Sequence, residues 1–200
     1  MSGLLIVIAG PSGAGKGTIF HSLLERMPNT VASISATTRA PRGKEVDGVE
    51  YFFKSKEQFE EMIARDELLE YANVFGNYYG TPKKFVMDGI NNGKNIILEI
   101  DVVGAEQIKR KFPECVGIFI MPPSFEILEQ RLRGRKTDSE ESIIRRLSEA
   151  KRELSTYKMF DYIVFNDNLE DAINQAEAII NAEHNKISRN ESKIEQLLNK

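Results

Sequence analysis

A glycine-rich turn near the start of the chain has the residue types of a phosphate-binding loop, Gly10-Pro11-Ser12-Gly13-Ala14-Gly15-Lys16. Backbone N–H groups of such a loop can turn inward on an anion, and the lysine can reach the outer phosphates of a nucleotide. The residue after the lysine is Gly17, where this pattern normally has Ser or Thr, and the hydroxyl follows as Thr18. The turn predicts a nucleotide site, and the alternative is a glycine turn with an accidental lysine.

Charged side chains further along the chain could complete a site for phosphoryl transfer. Asp101 follows an apolar run, and Glu99, two residues earlier, projects from the same face. Ligands gather at the carboxyl ends of parallel strands, and a carboxylate there can hold magnesium or its waters. Two groups of arginines could place positive charge on both sides of a transferred phosphoryl group: Arg39 and Arg42, and then Arg131, Arg133, Arg135, Arg145 and Arg146. A solvated helix face is the alternative for the second group.

Apolar runs that alternate with helical patterns predict the framework that positions these residues. The runs at 4–9, 95–101, 116–121 and 162–166 are typical of buried strands, and a helix follows the phosphate loop as far as Pro28. This alternation predicts an α/β fold with a parallel sheet. The alternation of Val49, Tyr51 and Phe53 predicts short antiparallel strands in an inserted subdomain. A helical pattern over 128–155, interrupted at 133–138, predicts a lid.

The composition limits the classes of function. A chain of 200 residues with a formal charge of -3 fits one α/β domain and disfavours general attraction to nucleic acid or to an anionic membrane. Its single cysteine, Cys115, and its two histidines, His21 and His184, disfavour a disulfide and a zinc site, so any metal should be bound through oxygen. No apolar run approaches the roughly 20 residues of a membrane span, and no signal peptide is recognised. We therefore expect a cytoplasmic protein with no nucleic-acid or membrane partner.

Several motifs in order along nearly the whole chain resemble those of the guanylate kinases. They are the loop at 10–16, Ser35-Ala36-Thr37-Thr38-Arg39-Ala40-Pro41-Arg42, Gly48-Val49-Glu50-Tyr51, Gly76-Asn77-Tyr78-Tyr79-Gly80-Thr81, Leu98-Glu99-Ile100-Asp101, Pro122-Pro123-Ser124 and Asn166-Asp167. The resemblance implies a three-layer P-loop NTPase fold with a central parallel sheet. Its implied parts are a core (1–33, 87–126 and 158–184), an inserted GMP-binding subdomain (34–86), a helical lid (127–157) and a C-terminal helix (185–200). The implied reaction transfers the γ-phosphoryl group of ATP to GMP, and to dGMP, with Mg²⁺.

The resemblance also implies a role for each site residue. For GMP, the residues are Ser35, Glu70 and Thr81 at guanine, Arg39, Arg42, Tyr51 and Tyr79 at the phosphate, and Glu99 and Asp101 between the nucleotide and magnesium. For ATP, they are Gly10, Pro11, Ser12, Gly13, Ala14, Gly15, Lys16, Gly17, Thr18, Arg131 and Asn166. The implied catalytic residues are Lys16, Arg39, Arg135 and Arg146, and the implied metal contacts are Thr18 and Asp101, directly or through water. Guanine presents a ring N–H beside an exocyclic amine, and one carboxylate can accept both.

Three other functions are alternatives to a guanylate kinase: a peptide-binding domain, another nucleoside monophosphate kinase and a general ATPase. Guanylate-kinase-like domains of scaffold proteins bind peptides and have lost catalysis, but they typically lack a working phosphate loop. A kinase for AMP or a pyrimidine monophosphate is disfavoured by the pair of Glu70 and Ser35, and a general ATPase by the lack of a recognisable water-activating residue. The departures from the family pattern are Ala36 beside Ser35, Gly17 after Lys16, and Lys136 where the lid commonly has glycine.

Overall fold

A computed structural model describes residues 3–74, 76–134 and 140–199. The strands of the described residues are β1 (Leu5–Ala9), β2 (Thr30–Ala32), β3 (Ser35–Thr37), β4 (Tyr51–Phe53), β5 (Leu68–Val74), β6 (Asn77–Pro82), β7 (Asn95–Glu99), β8 (Val116–Met121) and β9 (Tyr162–Phe165). The helices are α1 (Lys16–Arg26), α2 (Lys56–Ala64), α3 (Lys83–Asn91), α4 (Val102–Lys111), α5 (Phe125–Arg133), α6 (Glu140–Ser155), α7 (Leu169–His184) and α8 (Ile187–Leu198). A 3₁₀ turn at Tyr157–Met159 leads from α6 to β9.

A five-stranded sheet in the order β2-β7-β1-β8-β9 forms the centre of the fold, and every neighbouring pair in it is parallel. The prediction of an α/β fold with a central parallel sheet is confirmed. The four predicted strands correspond to β1, β7, β8 and β9, although β7 ends at Glu99, two residues before the predicted end. The short edge strand β2 was not among the predicted strands.

Helices cover both faces of this sheet, which makes three layers. Ile6 and Ile8 of β1 pack with Ile19 of α1 and Ile173 of α7 on one face. The alternate residues of β1, with Val86 of α3 and Ile108 of α4, form the core on the other face. All residues of β1 are buried as a result, which explains why its sequence is an uninterrupted apolar run and not an alternating one.

A second sheet lies between α1 and β7 in the chain and has the strand order β4-β3-β6-β5. Ala36, Phe59 and Leu68 form its small core. The strands β5 and β6 form an antiparallel hairpin, and β6 also pairs antiparallel with β3. The prediction of antiparallel pairing for the segment with Tyr51 and Phe53 is wrong, because β4 pairs parallel with β3. Residues 38–50 form the crossover that parallel neighbours require, and Val49 lies in it.

The helices α5 and α6 pack on each other through Leu128, Leu132 and Ala150. They correspond to the helical pattern predicted over 128–155, and its predicted interruption falls between Arg133 and Glu140. Arg135 and Lys136 lie outside the described residues. At the end of the chain, α8 is fixed in part by Arg189, whose Nη2 donates to the carbonyl of Glu114 at 2.9 Å. Among the helices of residues 3–74, 76–134 and 140–199, none is long and apolar enough to cross a bilayer.

Candidate active site

The phosphate loop, residues 10–17, connects the central strand β1 to α1. Its backbone requires glycine at three places, because Gly10, Gly13 and Gly15 have φ values of 145°, 91° and 93°. A side chain at position 15 would also clash with a neighbour, since a Cβ there would lie 2.2 Å from Nδ2 of Asn166. Lys16 is the first residue of α1, and its Nζ donates to the carbonyls of Gly10 at 2.6 Å and Pro11 at 3.1 Å. The lysine ammonium group therefore lies across the mouth of the loop.

Asn166, directly after β9, holds the phosphate loop from the side. It is 5% exposed, and its Nδ2 donates to the carbonyl of Ala14 at 2.7 Å. Arg131 of α5 donates from Nη2 to the Asn166 carbonyl at 3.0 Å, while its buried Nη1 has no hydrogen-bond partner among the residues that the structure describes. These two residues and Thr18 line a cavity of about 320 Å³, together with Gly13, Gly15, Asp167 and Leu169. The unpaired guanidinium nitrogen gives this cavity a donor for a polar ligand.

Helix α6 contacts the phosphate loop through one basic residue, Arg146, and one acidic residue, Glu153. Arg146 donates from Nη2 to Oγ of Ser12 at 2.7 Å. Glu153 follows on the same helix face seven residues later and lies near Lys16 and Ser12. Burial raises the pKa of Glu153, and the negative charge of Asp101 adds to that effect, whereas Lys16 opposes it. Sequence reasoning missed Glu153, because its partners at the phosphate loop, Lys16 and Ser12, are remote in the chain.

A buried carboxylate on the second sheet faces the start of α4. Glu70 of β5 is 7% exposed, and its Oε1 accepts a hydrogen bond of 2.7 Å from Oγ1 of the fully buried Thr81. Burial raises the pKa of Glu70, the charge of Asp101 adds to the rise, and the hydrogen bond from Thr81 opposes it. The other oxygen, Oε2, lies 3.1 Å from the position that a Cβ of Gly104 would take. Glycine in α4 therefore leaves room for this carboxylate.

Strand register brings the third predicted guanine residue to the same part of the sheet. Ala36 pairs with Gly80, so Ser35, which precedes Ala36, and Thr81, which follows Gly80, come next to each other on neighbouring antiparallel strands. Ser35 is half-buried. The structure therefore brings together three residues that are up to 46 positions apart in the chain (35 to 81).

Arg39 lies in an aromatic and acidic setting beside this sheet. It is 9% exposed, its guanidinium group lies 5.2 Å from the ring centre of Tyr51, and the rings of Tyr51 and Tyr79 are 6.0 Å apart. Its Nη2 donates to Oε1 of Glu45 at 2.9 Å, and Oε2 of Glu45 accepts from the backbone N–H of Arg42 at 2.7 Å. The hydrogen bond from Arg39 holds the pKa of Glu45 below its usual value. The side chain of Arg42 is exposed, and sequence reasoning missed Glu45.

The predicted magnesium residues offer few direct ligands. Asp101 caps α4, because its Oδ1 accepts from the backbone N–H of Gly104 at 2.8 Å, which leaves its second oxygen for another partner. The carboxylate of Glu99 lies beside the start of α1, 3.5 Å from where a Cβ of Gly17 would be, and Thr18 follows there. Among residues 3–74, 76–134 and 140–199, no cluster of three or more acidic, His or Cys side chains could enclose a metal. This donor set fits Mg²⁺, which keeps several waters and binds substrate phosphates with only one or two carboxylates.

Comparisons with known proteins find relatives along nearly the whole chain. The sequence profile of the guanylate kinase family matches residues 2–183. A guanylate kinase of Carboxydothermus hydrogenoformans is 53% identical over 94% of this chain and 92% of its own length. One from Halalkalibacterium halodurans is also 53% identical, over 98% of this chain and 96% of its own length. A crystal structure of guanylate kinase from Anaplasma phagocytophilum superimposes with a TM-score of 0.72 at 35% identity, covering 94% of this chain and 89% of that one.

Proposed function

The chain belongs to the guanylate kinase family and transfers a phosphoryl group from ATP to GMP, and on that premise we propose how its residues divide the reaction. The observation that carries the proposal is the buried Glu70, held by Thr81 on a sheet that is inserted beside a phosphate loop. We assign residues 34–86 to the GMP-binding subdomain, 127–157 to the lid, and the remaining elements to the core and the C-terminal helix.

Guanine is selected by the carboxylate of Glu70. The ring N–H and the exocyclic amine of guanine both donate to it, while Ser35 and Thr81 supply hydroxyl groups beside it. Adenine lacks this pair of donors and would leave a buried carboxylate unpaired, which costs far more than a missing contact at the surface. Selection by hydrogen bonds to the base leaves the sugar unread, so we propose that dGMP is accepted as well.

The phosphate of GMP binds where Arg39, Tyr51 and Tyr79 converge. A guanidinium group binds two phosphate oxygens at once, and tyrosine hydroxyls can donate further hydrogen bonds. Glu45 already holds Arg39 in place, so the arginine does not have to be ordered when the nucleotide binds. The exposed Arg42 reaches the same phosphate from the crossover between β3 and β4.

The phosphate loop and α6 hold the donor nucleotide. Backbone N–H groups of residues 10–17 and the start of α1 surround the ATP phosphates, and Lys16 lies against the outer ones. The adenosine part takes the cavity beside Asn166 and Arg131, where the buried Nη1 of Arg131 finds a partner. Arg146, with Arg135 from the lid, neutralises the transferred group, and an arginine in this role contributes about 10³ to 10⁵ in rate.

No covalent intermediate and no strong base are required. A phosphate oxygen of GMP is already a nucleophile, so the protein has to align it with ATP, neutralise charge and exclude water. Mg²⁺ would be held by the ATP phosphates, by Thr18 and by the second oxygen of Asp101 through water, with Glu99 nearby. When bound, the ion neutralises charge on the phosphates. We propose a cytoplasmic location, where the substrates ATP and GMP are found.

The test is ADP formation from Mg-ATP with GMP, dGMP, IMP, AMP, UMP and CMP supplied separately. We expect efficient turnover only with GMP and dGMP. Turnover of AMP comparable to that of GMP would contradict the role of Glu70. If folded protein bound GMP without any turnover, the chain would be a binding domain of the family and the catalytic roles would be wrong.

A further inference from the structure

Helix α4 fastens the outer edge of β5, the strand that carries Glu70. The side chain of Gln107 accepts from the backbone N–H of Tyr71 through Oε1 at 3.2 Å and donates from Nε2 to the Tyr71 carbonyl at 3.1 Å. One amide group thus makes the pair of hydrogen bonds that a neighbouring strand would make. One turn further along α4, Nζ of Lys111 donates to the carbonyl of Leu68 at 2.9 Å.

The segment between these two contacts is a β-bulge, Leu68–Tyr71, which we call the Glu70 bulge. Leu68 pairs with Pro82 and Tyr71 with Gly80, so β5 has one residue more than β6 over this stretch. A bulge breaks the regular ladder and turns a side chain away from its regular direction, and such features recur beside active sites. The regular ladder between β5 and β6 is therefore interrupted in the segment that contains Glu70.

The two α4 contacts lie on either side of the bulge, while Gly104 lies beside the carboxylate. Gly104, Gln107 and Lys111 are spaced three and four residues apart and so share one face of α4. On this face, the missing side chain of Gly104 leaves room for Oε2 of Glu70. Gln107 makes the hydrogen bonds to Tyr71 that a neighbouring strand would make, and Lys111 donates to the carbonyl of Leu68. Asp101 directly precedes the first residue of α4, and its carboxylate caps that helix.

We propose that Gln107 is a positioning residue for guanine recognition: by pairing with the backbone of Tyr71, it holds the Glu70 bulge against the core and aims the Glu70 carboxylate at the base. Lys111 supports the other end of the bulge. This inference rests on the proposed role of Glu70 in the site. It predicts that a residue which does not touch the nucleotide determines how well guanine is distinguished from related bases.

The experiment compares Gln107→Leu with wild type, using GMP and IMP as acceptors. IMP has the ring N–H of guanine but lacks the exocyclic amine, so the ratio of kcat/KM for the two reports how well Glu70 is aimed. We expect KM for GMP to rise about tenfold, from the loss of a fixed buried acceptor, and the ratio of GMP to IMP to fall. KM for ATP should stay unchanged, because the phosphate loop is attached to other elements.

Two further variants separate positioning from general damage. Gln107→Glu keeps an acceptor for the Tyr71 N–H but loses the donor to its carbonyl, so its effect should be intermediate. Gln175→Leu makes the same chemical change on an exposed position of α7 and should leave every parameter unchanged. Amide hydrogen exchange at Tyr71 should become faster in Gln107→Leu and not in Gln175→Leu.

An unchanged KM for GMP in Gln107→Leu, or an equal loss for GMP and IMP, would overturn the inference. Glu70→Gln, measured in parallel, tests the proposed function separately. If Glu70→Gln leaves base selectivity intact, the assignment of the guanine site is wrong. If Glu70→Gln abolishes selectivity while Gln107→Leu does not alter it, only the role of Gln107 is wrong.

Discussion

The phosphate loop and the guanine site are built in opposite ways. The loop is one continuous stretch, residues 10–17, whose backbone N–H groups face the ligand and whose glycines allow the required φ values. The proposed guanine site takes single side chains from β3, β5 and β6, and one of them comes from a bulge. A phosphate is bound by a local backbone shape, whereas a base is recognised by hydrogen bonds that only distant residues can assemble.

The two sites also differ in the sign of the side-chain charge that they contain. Lys16 and Arg146 gather positive charge at the loop, where the ligand is strongly anionic. Glu70 is a buried carboxylate whose pKa is raised by burial, so its ionised form is disfavoured, and in the proposed complex the guanine donors would offset that cost. Ionised Glu70 therefore lowers the free energy of unfolding, and we propose that this loss accompanies the selectivity for guanine.

The largest loss is expected from Lys16→Ala at the phosphate loop. Removing the ammonium group beside the outer phosphates should lower kcat by about 10³-fold or more, with the melting temperature little changed. Lys56→Ala is the matched control, because Lys56 is also the first residue of a helix but is exposed. Near-normal turnover of Lys16→Ala would contradict the assignment of the ATP site.

Gly15→Ala should damage the loop through its backbone. Its Cβ would collide with Nδ2 of Asn166, which holds the Ala14 carbonyl, so we expect about a 10²-fold loss in kcat/KM for ATP. Gly76 has a similar positive φ, and apart from its chain neighbours no described residue lies within 4 Å of an added Cβ, so Gly76→Ala controls for backbone strain alone. Equal effects of the two substitutions on steady-state kinetics would mean that the contact with Asn166 is unimportant.

Glu70→Gln should leave the loop intact and damage only base recognition. The amide has one acceptor oxygen and turns the other position into a donor that faces a guanine donor, so kcat/KM for GMP should fall about 10²-fold while KM for ATP stays constant. The raised folded-state pKa means that ionised Glu70 destabilises the fold above its unfolded pKa, so the melting temperature should not fall at neutral pH. Glu67→Gln, at an exposed position just before β5, is the control, and a loss of ATP binding in Glu70→Gln would contradict this division of roles.

A smaller effect is expected from pH. The pKa of Glu70 is raised by burial, so its carboxylate should become protonated at a higher pH than an ordinary glutamate as the pH falls. The preference for GMP over IMP should therefore decrease by a few-fold on acidification. IMP carries the same phosphate, so titration of that group cancels in the ratio. A ratio that does not change with pH, or one that changes equally in Glu70→Gln, would contradict this origin.

The sequence predicted the elements whose signals are local. The strands β1, β7 and β8 were recognised because both of their faces are largely buried and their runs are mostly apolar. The strand β9 was recognised from the same kind of apolar run, although its Ile163 and Phe165 are exposed at the edge of the sheet. The strands β2 and β3 have three residues each, too few to show a period. The alternation of Tyr51 and Phe53 indicated β4, but its parallel pairing with β3 has no local signal. Glu45, Gln107 and Glu153 were missed because each acts through a partner that is remote in the chain or through backbone atoms.

The α/β fold with its central parallel sheet and the glycine-rich loop could be predicted from the sequence, because apolar periodicity and glycine-dependent turns are properties of consecutive residues. The ordered motifs also identified the family. The three-dimensional arrangement was needed to learn which side chains meet Glu70, where β5 has its bulge and how α4 contacts the edge of β5. These features depend on strand register and on the packing of a helix against a sheet edge, which bring together residues that no local pattern connects.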